Sequence, residues 1–168
     1  MGDQSVVKKE IIIIVAIVLV IASIFIYNQV TKVDMVVAIG KSTSAHYNFN
    51  LIEDYKTFEE FVEKSGLEET ITINYKKNNV LEVYNEEYFN EKKLAVVATY
   101  EDTSKNYIYS IDNLEYENDK TKAIVTYTDK TDGYAGTLGN SWYNVMLVEV
   151  EGTVTDVSFV ENTGETEK

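Results

Sequence analysis

Few residues in this chain have the types and spacing that chemistry requires. His46 is the only histidine, and there is no cysteine. One imidazole without thiolates falls short of the ligand sets that hold zinc. A Ser-His-Asp system needs His46, a serine and a carboxylate to converge, and no G-x-S-x-G elbow is present. Acidic doublets are frequent: Glu53-Asp54, Glu59-Glu60, Glu68-Glu69, Glu86-Glu87 and Glu101-Asp102. Glycoside hydrolysis needs two carboxylates facing one cleft at a set separation. Neighbours on a strand or helix point apart, so solvated faces explain the doublets better. Asp129-Lys-Thr-Asp132-Gly starts like a calcium loop. Its second Asp falls at position 4 and its Gly at position 5, so the EF-hand register fails. The best recognition candidates are Tyr134, in a Gly-rich stretch, and the adjacent Trp142 and Tyr143. Aromatics near a long loop are common in binding surfaces. Trp142 reads more readily as a core anchor. No cofactor or metal site is expected.

The elements that position these residues follow a long apolar run. Ile11 to Tyr27 is seventeen residues without a charge, with Val20 near its middle. As a helix it spans about 25 Å at ~1.5 Å per residue, and residues 28–30 add a turn at the headgroups. Cleavable signals have shorter cores, of about 7–15 residues, followed closely by small residues. Ala22-Ser23-Ile24 is a poor cleavage site, and no Cys is available for lipid attachment. The expectation is a retained anchor over 11–30, a cytoplasmic tail over 1–10 and an extracytoplasmic domain over 33–160. Residues 161–168 read as a disordered tail. Lys8 and Lys9 before the run against Lys32 and Lys41 after it barely decide orientation. The short N-terminal tail favours N-in, single-pass topology in the cell membrane.

Residues 33–168 carry 26 acidic residues against 12 lysines, a formal charge of −14, and the chain has no arginine. That excludes a nucleic-acid partner, because phosphate contacts depend on Arg and Lys. It also disfavours general adhesion to anionic lipid. Absence of cysteine rules out disulfides and suits a bacterial or archaeal exported protein. Thirteen tyrosines and no proline point to a strand-rich domain.

Along that domain, 33–39 reads as the first strand, ended by Gly40 and only six residues past Tyr27. A domain starting there sits close to the bilayer. Residues 49–53 are a short second strand. Thr57 and Glu60 have capping-box spacing, and Phe58, Phe61 and Val62 make one apolar face, so a helix is expected over 58–65 with Gly66 after it. Ile71–Tyr75 alternates as a strand, and 76–79 reads as a turn. Val80–Tyr84 reads as extended, and Asn85 as the cap of a helical turn over 86–91. Leu94–Thr99 reads as the central, most buried strand. Residues 102–106 are a turn, and 107–116 a strand whose alternation slips near Asp112, which predicts a bulge. Residues 118–121 are a hairpin turn and 123–128 a strand. Residues 129–141 are the longest loop, followed by strands over 142–150 and 154–160. The fold class is α+β: a transmembrane helix, then a mainly antiparallel sheet domain, sandwich or half-barrel, with one short packed helix.

The order "GKSTS", "LIEDYKTFEEFVEK", "YNEEYFNEKKLAVVAT", "SWYNVMLVEVEG" and "VTDVSFV" resembles small bacterial extracytoplasmic domains of the protease-complex subunit PrcB C-terminal type. The family's paired glycines are Lys105-Asn106 here, and its late proline is absent before Trp142. The resemblance implies no catalytic residues. It implies an accessory subunit of an envelope protein or protease complex. Two other readings stay open: an envelope hydrolase using paired carboxylates, and a small-ligand or cation sensor built on 129–141.

Overall fold

A computed structural model describes residues 35–44, 50–102, 105–134 and 141–163, with backbone alone at 102, 105–106 and 131–134. The anchor residues Ile11, Val20 and Tyr27, the 1–10 tail and His46 lie outside the described residues, as does the end of the 161–168 tail. Among the described residues no helix is long and apolar enough to cross a membrane. Residues 35–168 form one unit of mostly antiparallel sheet with one helix of real length, an α+β domain.

The central layer is a six-stranded antiparallel sheet in the order β2-β5-β8-β1-β3-β4. Its strands are β1 (Val37–Ser42), β2 (Leu51–Ile52), β3 (Thr70–Ile73), β4 (Lys76–Asn79), β5 (Lys92–Asp102) and β8 (Ser141–Glu151). Helix α1 (Tyr55–Ser65) covers one face. The other face is covered by a second sheet of β6 (Lys105–Glu117), β7 (Lys122–Tyr134) and β9 (Asp156–Glu161). In it β6 and β7 are antiparallel, while β9 runs parallel to β7. Alternation along each strand divides the core. Ala38, Leu94, Val96, Val145 and Leu147 face α1, and Ala95, Val97, Met146, Val148 and Val150 face Leu114, Ala123 and Val125.

One long hairpin builds both sheets. Pairing runs from Lys92↔Glu151 to Asp102↔Ser141, and resumes from Lys105↔Tyr134 to Glu117↔Lys122. The outer half lies back across the inner half. Its tip, Asn118–Thr121, therefore returns to the hairpin's base. Lys120 Nζ is 3.5 Å from Glu151 Oε1, and the Thr153 hydroxyl donates to the Lys120 carbonyl at 2.9 Å. The Glu151 N–H donates to the Tyr116 hydroxyl at 3.1 Å.

The slip near Asp112 is a bulge: register shifts between Ile111 and Asn113. The Asp112 carboxylate accepts from Ser110 Oγ at 2.7 Å, Thr128 Oγ1 at 2.7 Å and Asn162 Nδ2 at 3.0 Å. Burial raises its pKa, but these donors outweigh that and hold it below the usual carboxylate range. The bulge thus ties β6, β7 and the end of β9 together.

Several boundaries differ from the sequence expectation. β1 begins at Val37, ten residues past Tyr27 instead of six, and continues through Gly40. A Cβ at Gly40 would lie 2.8 Å from Leu67 Cδ1 and 3.1 Å from Ile71 Cγ2, so Gly40 serves close packing, not chain termination. The α1 N-cap is Asp54, one turn before Thr57: its carboxylate accepts from the Thr57 N–H at 2.8 Å. Tyr55 extends the apolar face backward, which carries the helix with it. Gly66 does end α1 in the left-handed region at φ 64°. Val80–Val83 is not extended but one helical turn, capped by Asn79. The helical turn expected over 86–91 is a 3-10 turn over Tyr88–Asn90 with Glu87 at its N-cap position, and Asn85 Oδ1 accepts from the Tyr88 N–H at 3.1 Å just ahead of it. The final strand starts two residues later than expected, at Asp156. Leu94–Thr99 lies within β5, next to the two-residue edge strand β2. The centre belongs to β8 and β1, and β8 is buried continuously from Asn144 to Val148.

The turn expected over 76–79 is strand β4; the turn is Asn74-Tyr75, with φ of 48° and 65°. This is the two-residue geometry that favours Asn-Gly. Tyr75 occupies the glycine position. Tyr75→Gly is expected to stabilise the domain by about 1 kcal/mol by removing left-handed strain. Urea unfolding of the detergent-solubilised chain, followed by tryptophan fluorescence, checks this; an unchanged or lower midpoint refutes it.

Candidate functional site

The three candidate residues gather at the end of the domain where the long hairpin bends. Tyr134 is the last residue of β7, paired with Lys105, and only its backbone is described. Trp142 and Tyr143 open β8, opposite Glu101 and Tyr100 of β5. They do not form one surface. As strand neighbours they point to opposite faces of the sheet.

On the face toward β6 and β7, Trp142 is half-buried within a polar network. Its indole N–H donates to Glu101 Oε2 at 3.2 Å. The Asn144 side-chain N–H donates to the same oxygen. Lys41 Nζ stands 3.9 Å from the Trp142 ring centroid, a cation–π contact. Asn144 is 1% exposed, and its Oδ1 accepts no hydrogen bond among the described residues. Burial, with the Glu101 carboxylate as a second cause, raises the pKa of the Tyr109 hydroxyl nearby on β6. Glu101 therefore fixes the ring plane of Trp142 from one side and Lys41 from the other. The indole serves as an anchor of the sheet end and as part of its surface at once.

On the opposite face Tyr143 packs edge-on against Tyr100, with ring centroids 5.4 Å apart. Tyr100 is 46% exposed. This pair is the accessible aromatic surface at the bend. Sequence reasoning passed over Tyr100, Glu101 as a hydrogen-bond acceptor, Asn144 and Lys41. Their grouping depends on the β5–β8–β1 register, although Tyr100 does share the parity of Leu94 and Val96.

The other chemical candidates are placed as follows. Asp129 and Asp132 are strand residues of β7, opposite Tyr109 and Asn106, so 129–134 is strand and not the loop expected there. Among the described residues no group of three or more His, Asp or Glu is placed to hold a metal. Glu53 pairs with Lys93 at 2.6 Å, Asp54 caps α1, Glu60 pairs with Lys64 at 3.0 Å, and Glu68, Glu69, Glu86 and Glu87 are exposed. Glu149 and Glu151, two residues apart on β8, sit in contrasting environments. Burial raises the pKa of Glu149, with Lys92 opposing, while hydrogen bonding to Lys92 leads the causes that lower Glu151. Glu149 faces the buried Tyr84 and the partly buried Tyr88, whose hydroxyl pKa values burial pushes far up. Both oxygens of Glu151 are taken, by Lys92 at 3.2 Å and Lys120 at 3.5 Å. Glu151 is a structural tie.

No family model, curated protein or solved structure matches this chain. The PrcB-type resemblance rests on its short apolar motifs alone.

Proposed function

We propose that this protein is a single-pass, membrane-anchored interaction subunit whose acidic domain lies outside the cytoplasm. The observation that carries the reading is the uncharged run Ile11–Tyr27 immediately ahead of a cysteine-free sheet domain. Seventeen such residues are near the length that spans a bilayer core. The partner is another envelope protein that grips the end of the sheet at the bend, meeting Tyr100 and Tyr143 on one face and the edge of Trp142 on the other. A noncatalytic role fits this surface. Glu101, beside Trp142, is occupied by the donors of Trp142 and Asn144.

Protease added to intact spheroplasts producing the full chain is expected to degrade residues 33–168 and leave a short membrane-embedded fragment. Full protection of the domain refutes the topology. Complete degradation, with release of every fragment from the membrane, refutes the anchor.

A further inference from the structure

Tyr75 has no role in holding the domain together. It is 101% exposed, and it occupies a left-handed position where glycine is cheaper. Two exposed lysines follow it, Lys76 and Lys77. Lysines on an edge strand such as β4 are common guards against sheet-to-sheet pairing. That explains Lys76 and Lys77 but not a strained, fully exposed tyrosine beside them.

Register places this turn. Ala38 pairs with Ile73, so Asn74 comes level with Val37, the first residue of β1. The turn therefore lies at the end of the sheet where the chain enters the domain. Four other lysines lie toward that end, and each has a carboxylate partner: Lys92 with Glu151 at 3.2 Å, Lys93 with Glu53 at 2.6 Å, Lys120 with Glu151 at 3.5 Å and Lys122 with Glu117 at 3.3 Å. Lys76 and Lys77 have no ion pair among the described residues. The nearest acids along the hairpin, Glu69 and Glu82, flank its opposite end, roughly 13 Å away at ~3.3 Å per residue. Glu149 is three strands across, about 14 Å. These spacings exceed the Debye length of ~8–10 Å in physiological salt, so these three acids do little to offset the charge of the two lysines.

We propose that residues 74–77 are a contact finger for an anionic lipid surface. Tyr75 seats its ring at the headgroup level, where its hydroxyl stays wet, and Lys76 and Lys77 meet lipid phosphates. The proposal rests on the reading of 11–27 as an anchor. Tethering makes the contact intramolecular, so two lysines and one ring suffice where a free acidic domain would be repelled. The contact sets the domain's orientation. With the β3–β4 turn on the lipid, the end bearing Tyr100, Trp142 and Tyr143 faces away from it, toward a partner.

The test uses the full isotope-labelled chain in nanodiscs of phosphatidylcholine and phosphatidylglycerol that carry a headgroup spin-labelled lipid. Amide signals of 73–77 are expected to lose more intensity than those of 42–44 and 141–143. Tyr75→Ser with Lys76→Glu and Lys77→Glu is expected to abolish the difference while the remaining spectrum is unchanged. In discs of phosphatidylcholine alone the loss at 73–77 is expected to shrink. Equal intensity at the two ends, in a chain that stays with the discs, overturns the finger and leaves the anchor standing. Loss at 73–77 that survives the lysine changes, or is unchanged in phosphatidylcholine alone, overturns the anionic surface. A chain that separates from the discs overturns the anchor and the finger with it.

Discussion

Phe58→Ala is expected to lower the unfolding free energy by about 3–5 kcal/mol, the range for deleting a buried aromatic ring. Phe58 is fully buried between α1 and the central sheet. Its ring centroid lies 5.7 Å from Tyr84, 5.6 Å from Phe89 and 6.4 Å from Phe61. Tyr84 is itself packed edge-on against Tyr88 at 4.9 Å. Rings held on several sides have little room to collapse into a vacated space, so the cavity term persists. A domain of this size has about 5–15 kcal/mol in total, so the change removes a large share of its margin. The chain's single tryptophan, Trp142, lies on the opposite face of the sheet and reports global unfolding in urea. Val62, partly buried on the same helix, provides the scale. Val62→Ala is expected to cost about 1 kcal/mol. A Phe58→Ala shift no larger than that of Val62→Ala refutes the packing account.

The legible parts of this fold are those whose signal is local. Gly66 ends α1 because its left-handed φ suits a residue without Cβ, and that position follows directly from the apolar periodicity before it. The Asn85 side chain leads into the next turn by accepting from a backbone N–H three residues on. The bulge at Asp112 was visible because one inserted residue exchanges the two parities of a strand. The illegible parts depend on partners distant in sequence. Gly40 looked like a stop because nothing nearby reveals that Leu67 and Ile71 press on β1. Asn74-Tyr75 is hidden because tyrosine is a poor residue for its φ, and the polar run Lys76–Asn79 has the composition of a turn instead. Two pairing ladders, not composition, show that β5–β6 and β7–β8 make one folded-back hairpin. The same limit applies to the candidate site. Trp142 and Tyr143 stood out as aromatics, but strand geometry sends them to opposite faces. Only the register joins one to Glu101 and Asn144 and the other to Tyr100.

Glu101→Leu is expected to cost about 1–3 kcal/mol, although Glu101 itself is partly exposed, because the penalty falls on its buried partner. Asn144 is 1% exposed and gives its side-chain N–H to Glu101, and its Oδ1 has no partner among the described residues. Without the carboxylate both ends of a buried amide go unsatisfied, and the Trp142 indole N–H loses its acceptor. Glu101→Gln keeps an acceptor oxygen and is expected to cost clearly less. Asn144→Leu added to Glu101→Leu removes the orphaned amide as well, so the double variant is expected to be more stable than the two single costs together imply. Urea midpoints give the energies, and Trp142 emission reports whether the indole is still held between Glu101 and Lys41. Strict additivity in the double variant, with unchanged emission in Glu101→Leu, refutes the coupling. A coupled result means that the surface at the bend is set before any partner arrives. A partner that meets an indole already fixed in plane avoids the entropic cost of ordering it. On the proposed reading of this end as a recognition surface, that preordering depends on Glu101.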